Sequence, residues 1–194
     1  SEEITSKIAI NIYSDHWWDS DLNSDQFLLN LSKVPLLFSP GDAWNYGPSI
    51  DILGFIIERV SGKTLDKFLK ENIFDIVGMT DTGFTLNNEQ LSRLSDLYDY
   101  DENSQRYKII QKASGYKEKS FFSGGGGGYS TIEDYSKFCK LLLNNGKWEK
   151  EKLISDTTFN LFFSNQLLNK SIYEIGIDIN RDFFKEKKIA HSLG

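Results

Sequence analysis

The chain has 194 residues, of which 39% are hydrophobic and 26% charged, a balance typical of a globular domain large enough to bury one sizeable core. Its net charge of −6 opposes a polyanionic partner, so nucleic acid is not an expected ligand. A single cysteine, Cys139, and two histidines, His16 and His191, supply neither a disulfide framework nor the paired ligands of a zinc site, and no metal is expected.

No stretch reaches the roughly 20 consecutive apolar residues of a membrane span, and Ser1-Glu2-Glu3 has the wrong sign for the start of a signal peptide. Ile8 to Trp18 mixes aromatic and β-branched residues with Asp and Ser and takes no assignment. From Ser24, the spacing of Phe27, Leu28 and Leu31 predicts a short helix capped by Ser24 or Asp25 and ended by Pro35. Pro35 to Asp42 then holds two of the three prolines and a Pro-Gly turn, so Trp44-Asn45-Tyr46 falls on a loop.

The strongest helical pattern runs from Pro48 to Val60, with Gly62 as its C-terminal cap. Apolar residues at 50, 53, 56, 57 and 60 predict an inward face, widened by 52 and 55, and hence a mostly buried helix. Further helices are expected from Thr64 to about Asn72 and from Asn88 to Leu97. Tyr98 through Ile110 reads as an exposed hairpin turning near Glu102-Asn-Ser104.

Gly124 to Gly128 is a run of five glycines. It suits a tight turn with positive φ and close backbone packing, or the wall of a cleft with Gly126 and Gly127 facing a substrate. Thr131 and Asp134 form a helix-start pair, Phe138, Leu141 and Leu142 an inner face, and Asn145-Gly146 a stop. Cys139 is expected to be a small core residue of this helix. Asp156 to Leu168 is a further helix, Tyr173 to Ile179 a half-buried strand, and Asp99 with Asp101 part of a solvated face.

Two phosphate-site readings fail on spacing. Ser61-Gly-Lys-Thr64 lacks the P-loop's earlier glycine, Ile57 standing there, and Lys63 follows a helix where a P-loop lysine opens one. The glycine run lacks a following Gly-Lys-Ser/Thr.

The run Pro40-Gly-Asp-Ala-Trp-Asn-Tyr46-Gly-Pro-Ser-Ile-Asp51-Ile-Leu-Gly54 has a continuation in Glu58-Arg-Val-Ser-Gly62, Gly78-Met-Thr-Asp-Thr-Gly-Phe84 and Ser123-Gly-Gly-Gly-Gly-Gly-Tyr-Ser130. Together these segments resemble the serine β-lactamase, penicillin-binding protein and related esterase family, from about Leu31 to Leu153. The resemblance implies an α+β fold, with this chain supplying mainly the helical lobe and part of an antiparallel sheet. It also implies that Tyr46 is the general base, with Gly126 and Gly127 lining the substrate cleft; of the aromatics Trp17, Trp18 and Trp44, which suit either a core or an apolar cleft, Trp44 is the cleft candidate. A phenol with pKa near 10 becomes a usable base only beside a cation, which in the family is a lysine one helical turn after the nucleophilic serine.

No Ser-x-x-Lys precedes Tyr46, and the match Ser114-Gly-Tyr-Lys117 stands after it in a polar segment. The chain also ends, at His191-Ser-Leu-Gly194, before the family's late strand triplet. Residues 1–194 are therefore expected to be a partial domain, inactive alone, that leaves an apolar face or sheet edge open to self-association. The activity implied for the complete protein is hydrolysis of a small-molecule ester, β-lactam or D-alanyl peptide through an acyl-enzyme, with no cofactor. The alternative is a non-catalytic binding or sensor module of the same fold. Family analogy suggests an extracytoplasmic location and does not decide against a cytoplasmic one. Pro48 stands where β-lactamases carry a substrate-binding asparagine two residues after the tyrosine, and proline has no side-chain donor or acceptor, so esters are favoured over lactams.

Overall fold

The computed structural model describes residues 22–36, 39, 47–118 and 121–164. The unassigned stretch at 8–18, both histidines, Trp44, Tyr46 and the expected strand at 173–179 lie outside the described residues. The helix expected to run from Asp156 to Leu168 ends at Phe162, where Phe163 caps it.

The first helix, α1, is Ser24–Leu31. Its cap is Asn23, where Ser24 or Asp25 was expected. The Asn23 side chain accepts from the Gln26 amide while the Gln26 side chain accepts from the Asn23 amide, a reciprocal arrangement that satisfies two otherwise orphaned donors. The helix closes at Ser32, before Pro35 is reached.

Helix α2, Ser49–Ser61, starts directly after Pro48 and ends at Gly62 with φ 68°, the left-handed cap that the sequence predicts. Its burial departs from expectation. Asp51, Gly54 and Phe55 are its buried residues, whereas Ile50, Leu53, Ile56 and Val60 are exposed, Val60 at 83%. The helix is apolar on nearly every side, so periodicity cannot say which side docks. The docking side is the one on which Gly54 allows close approach: a Cβ there would stand 2.9 Å from Leu65 Cδ2.

Helix α3, Leu65–Leu69, continues through a π-helical turn at Lys70–Phe74 into α4, Asp75–Val77. Here the Met79 amide donates to the Phe74 carbonyl at 2.8 Å, five residues back, and Gly78 at φ 76° stops the helix. Helix α5, Asn88–Arg93, is shorter than expected and repeats the capping device of α1 with Asn87 and Gln90. Strands β1, Leu97–Asp101, and β2, Arg106–Gln111, form the expected exposed antiparallel hairpin, with Tyr100 packed edge-on against Tyr107. Asp101 is engaged by Lys108 and Ser104.

Helix α6, Ile132–Leu143, starts at Thr131, whose side chain accepts from the Asp134 amide, and a second small hairpin pairs β3, Lys147–Trp148, with β4, Glu151–Lys152. Helix α7, Asp156–Phe162, is capped by Ser155. The two hairpins supply the antiparallel strand pairing, and the helices the bulk, of an α+β arrangement.

Two clusters hold these parts. Leu141, Val77 and Met79 form one, with Ile73, Phe74, Phe138, Trp148, Leu153 and Ile154 around them. Phe27, Phe55 and Phe121 form the other, their ring centroids 5.6–5.7 Å apart in tilted and edge-on contacts. Cys139 is exposed, a correction to the core position expected of it: it lies on the outer side of α6, which buries Leu141 and half-buries Phe138 and Leu142.

A buried carboxylate stands beside the first cluster. Asp134, 3% exposed, accepts from the Asp81 amide at 2.7 Å, the Thr82 hydroxyl at 3.0 Å and the Lys137 ammonium at 2.8 Å. Lys137 also donates to the Gly78 carbonyl, so one ion pair ties α6 to the 78–83 turn. Burial by itself raises the Asp134 carboxyl, but Lys137, the Asp81 amide and the Thr82 hydroxyl outweigh it and hold the group below the usual carboxylate range. A depressed folded pKa contributes stability above the unfolded value of about 3.9, and that stability is lost as pH falls through the folded pKa. Asp134→Asn should therefore unfold at lower urea concentration above about pH 5, by about 1–3 kcal/mol, with the gap closing in acid. A gap independent of pH between about 6 and 2.5 would remove Asp134 from the acid-sensitive groups.

Candidate active-site segment

The glycine-rich turn and the first turn of α2 are in backbone contact. A Cβ on Gly124 would stand 2.6 Å from the Ile50 carbonyl oxygen, and one on Gly125 would stand 2.7 Å from Asp51 Oδ2. One on Gly127 would stand 2.9 Å from the Ser123 carbonyl oxygen, which already accepts the Gly127 amide at 2.9 Å. Gly124, Gly125, Gly127 and Gly128 have no positive φ, contrary to expectation. Among the described residues the glycines at positive φ are Gly62, Gly78 and Gly146, while Gly124, Gly125 and Gly127 are needed for space.

Asp51 closes this contact. It is 2% exposed, and its Oδ1 accepts the Ser123 hydroxyl at 2.5 Å and the Gly125 amide at 3.2 Å. Ser123 is itself buried, at 7%. Asp51 stands third in α2, where the helix's amide ends favour negative charge.

The far side of the turn is held by aromatic and backbone contacts. Gly83 and Tyr129 form an antiparallel bridge, the Gly83 amide donating to the Tyr129 carbonyl at 3.1 Å and the Tyr129 amide to the Gly83 carbonyl at 2.8 Å. Tyr129 lies edge-on to Tyr116, whose hydroxyl accepts the Leu86 amide at 3.1 Å, and Phe84 lies edge-on to Phe122. Burial first, and the neighbouring Tyr116 second, push the Tyr129 phenol above its ordinary value. Tyr129 therefore stays a neutral phenol at neutral pH and has the wrong electrostatics for a base.

Of the residues singled out from the sequence, Gly126 is exposed and Gly127 half-buried in the turn, while Trp44 and Tyr46 lie outside the described residues. On the C-terminal side of Tyr46, Gly47 and the buried Pro48 lead into α2, so only two residues separate the tyrosine from the helix that the turn packs on. Ser114 and Lys117 do not share a helical face: Ser114 sits in the single 3-10 turn Ala113–Gly115, which ends before Lys117. Lys63 pairs with Glu71, and Gly62 is a helix cap, so that glycine-lysine pair is structural.

Sequence reasoning missed Asp51 as a functional candidate. Its signal was an acidic residue inside a helix that is otherwise apolar from Ile50 to Ile57.

The Beta-lactamase family matches residues 3–167. This chain belongs to the β-lactamase family. Among its relatives, Protein Rv1367c of Mycobacterium tuberculosis is 30% identical over 146 residues, 75% of this chain and 36% of that protein. Lovastatin esterase of Penicillium rubens is 37% identical over 114 residues, 57% of this chain and 29% of that protein. Among solved structures, a simvastatin synthase from Aspergillus terreus superposes with TM-score 0.59 at 29% identity, over 68% of this chain and 32% of that one. The chain thus spans about a third of the length of the relatives it matches.

The glycine contacts yield a contrast. Gly124→Ala meets a backbone oxygen that cannot rotate away and should cost about 1–3 kcal/mol in a urea melt. Gly128→Ala, with open space around its Cβ position and no positive φ, should fall within about 0.5 kcal/mol of the parent. Equal costs at the two positions would mean that the turn does not seat on α2 as described.

Proposed function

We propose that the complete protein carrying this β-lactamase-family chain is a serine hydrolase that works through an acyl-enzyme, with Tyr46 as its general base. The observation that carries this reading is the meeting of two motifs far apart in sequence: the helix opened by the Tyr46 segment and the glycine-rich turn are locked together through Asp51, Ser123 and Gly125. A base delivered next to a glycine-lined wall is the arrangement that acyl transfer needs, because the nucleophile's proton must leave from beside the bound carbonyl. In this reading residues 1–194 are part of a domain whose nucleophile and late strand triplet lie elsewhere in the protein, and the chain alone is inactive.

The cycle balances without a cofactor. A serine hydroxyl attacks the substrate carbonyl and its proton passes to the Tyr46 oxygen, assisted by a lysine. The proton then goes to the leaving alcohol or amine; water gives its proton to the same tyrosine oxygen as it attacks the acyl ester, and that proton passes to the serine oxygen as the acid leaves. Trp44, Gly126 and Gly127 line the cleft. Buried Pro48, lacking any side-chain donor, supports an ester over a β-lactam or a D-alanyl peptide, in keeping with the esterase among the relatives.

The test is intact-mass measurement after exposure to a fluorophosphonate and, separately, to a penicillin. The complete protein should gain one adduct, on a serine of a Ser-x-x-Lys sequence, and the 194-residue chain none. Tyr46→Phe in the complete protein should slow adduct formation by about 100-fold or more while the thermal unfolding midpoint stays within a few degrees. A complete protein that neither probe labels would overturn the hydrolase reading in favour of a binding module of the same fold. Labelling of the isolated chain would place the nucleophile within it.

A further inference from the structure

We infer that Asp51 is a positioning residue for the proposed acylation, setting where the Tyr46 segment stands relative to the glycine-lined wall. The inference rests on the reading of Tyr46 as the base.

Burying a carboxylate is costly, and an apolar side chain of similar volume at this point of an otherwise apolar helix would generally be at least as stable. Asp51 is nevertheless 2% exposed, and both partners of its Oδ1 are neutral donors, 72 and 74 residues away along the chain. Asp134, the other buried carboxylate among the described residues, has a lysine to offset its burial, and Asp51 has a hydroxyl and an amide instead. What the Asp51 arrangement supplies is directional. Two donors converging on one oxygen fix the turn along the helix axis, and the absence of side chains at Gly124 and Gly125 lets it seat on the Ile50 carbonyl and the Asp51 carboxylate themselves.

The register so fixed lies next to Tyr46. Only Gly47 and Pro48 separate the tyrosine from the helix, and Pro48, at φ −79°, is a stiff final link. Moving the turn relative to α2 therefore changes the separation between the tyrosine's attachment point and Gly126 and Gly127. A displacement on the order of 1 Å at a reacting centre is worth up to about 100-fold in rate.

The experiment uses the complete protein, with Asp51→Ala, Asp51→Asn and Ser123→Ala made alone and in the Tyr46→Phe background. Fluorophosphonate adduct formation is timed by intact mass, at a temperature where each variant is folded by circular dichroism. Asp51→Ala and Ser123→Ala should each slow adduct formation by about tenfold or more. Asp51→Asn, which keeps the Oδ1 acceptor, should recover to within about threefold of the parent. In the Tyr46→Phe background, Asp51→Ala should add less than about twofold, because a residue acting through the tyrosine has nothing left to position.

A purely structural clamp behaves otherwise: the melting temperature falls while the rate of the folded protein is unchanged, or the slowing is the same with and without Tyr46. Either result overturns the inference and leaves the hydrolase reading intact. If Tyr46→Phe itself labels at the parent rate, the base assignment fails and takes this inference with it. Should Asp51→Ala not fold, Ser123→Ala and Asp51→Asn decide the matter, since one removes a donor to Oδ1 and the other preserves both.

Discussion

The close approach of the glycine-rich turn to the first turn of α2 is the constraint on which the rest of the site depends. It needs two positions without a Cβ, Gly124 and Gly125, and a buried acceptor, Asp51 Oδ1, to receive the donors that the approach would otherwise strand. Neither half suffices alone. Glycines without the acceptor would leave the Ser123 hydroxyl and the Gly125 amide without this partner, and the acceptor without glycines could not be reached by the backbone.

A second polar latch makes that contact a fixed point. Asp134 holds the 78–83 turn to the start of α6, and the Gly83–Tyr129 bridge carries the same turn to the far end of the glycine run. The run is thus held at both ends: by a carboxylate on α2 at one, and at the other by backbone pairing to a turn that a second carboxylate locks. The apolar clusters sit beneath these anchors and provide bulk stabilisation, which is non-directional. Direction comes from the two carboxylates.

Helix positions were legible in the sequence wherever a terminator was local. Gly62 and Gly146 stand at positive φ where the expected helices stop, and Thr131 caps α6 as its pattern suggests, whereas the helix expected to end near Asn72 runs on through a π-helical turn to Gly78. The caps of α1 and α5 were less legible, because an asparagine with a glutamine three residues later competes with several polar neighbours until the reciprocal bonds are seen. The interior of the glycine run misled in a different way. Sequence suggests glycines for their dihedral freedom, but at Gly124 and Gly125 what matters is distance to another chain segment, which no local pattern encodes.

The burial of α2 was the least legible feature, for a physical reason that also bears on the site. Apolar residues at 50, 53, 56 and 60 form a regular stripe, yet among the described residues it is the exposed one, and the helix is seated by Asp51, Gly54 and Phe55. Hydrophobic periodicity reports where apolar area is concentrated, whereas docking here is set by how closely a neighbour can come. The narrow strip Asp51-Gly54-Phe55 combines a buried acceptor, a missing side chain and an aromatic ring packed between Phe27 and Phe121, each of which needs one particular partner position. A seat built this way tolerates little sliding along the axis, and an apolar stripe built of Ile, Leu and Val would tolerate much more. The helix that follows Tyr46 is therefore fastened by its most position-sensitive side, as the proposed role of Tyr46 as a base would require.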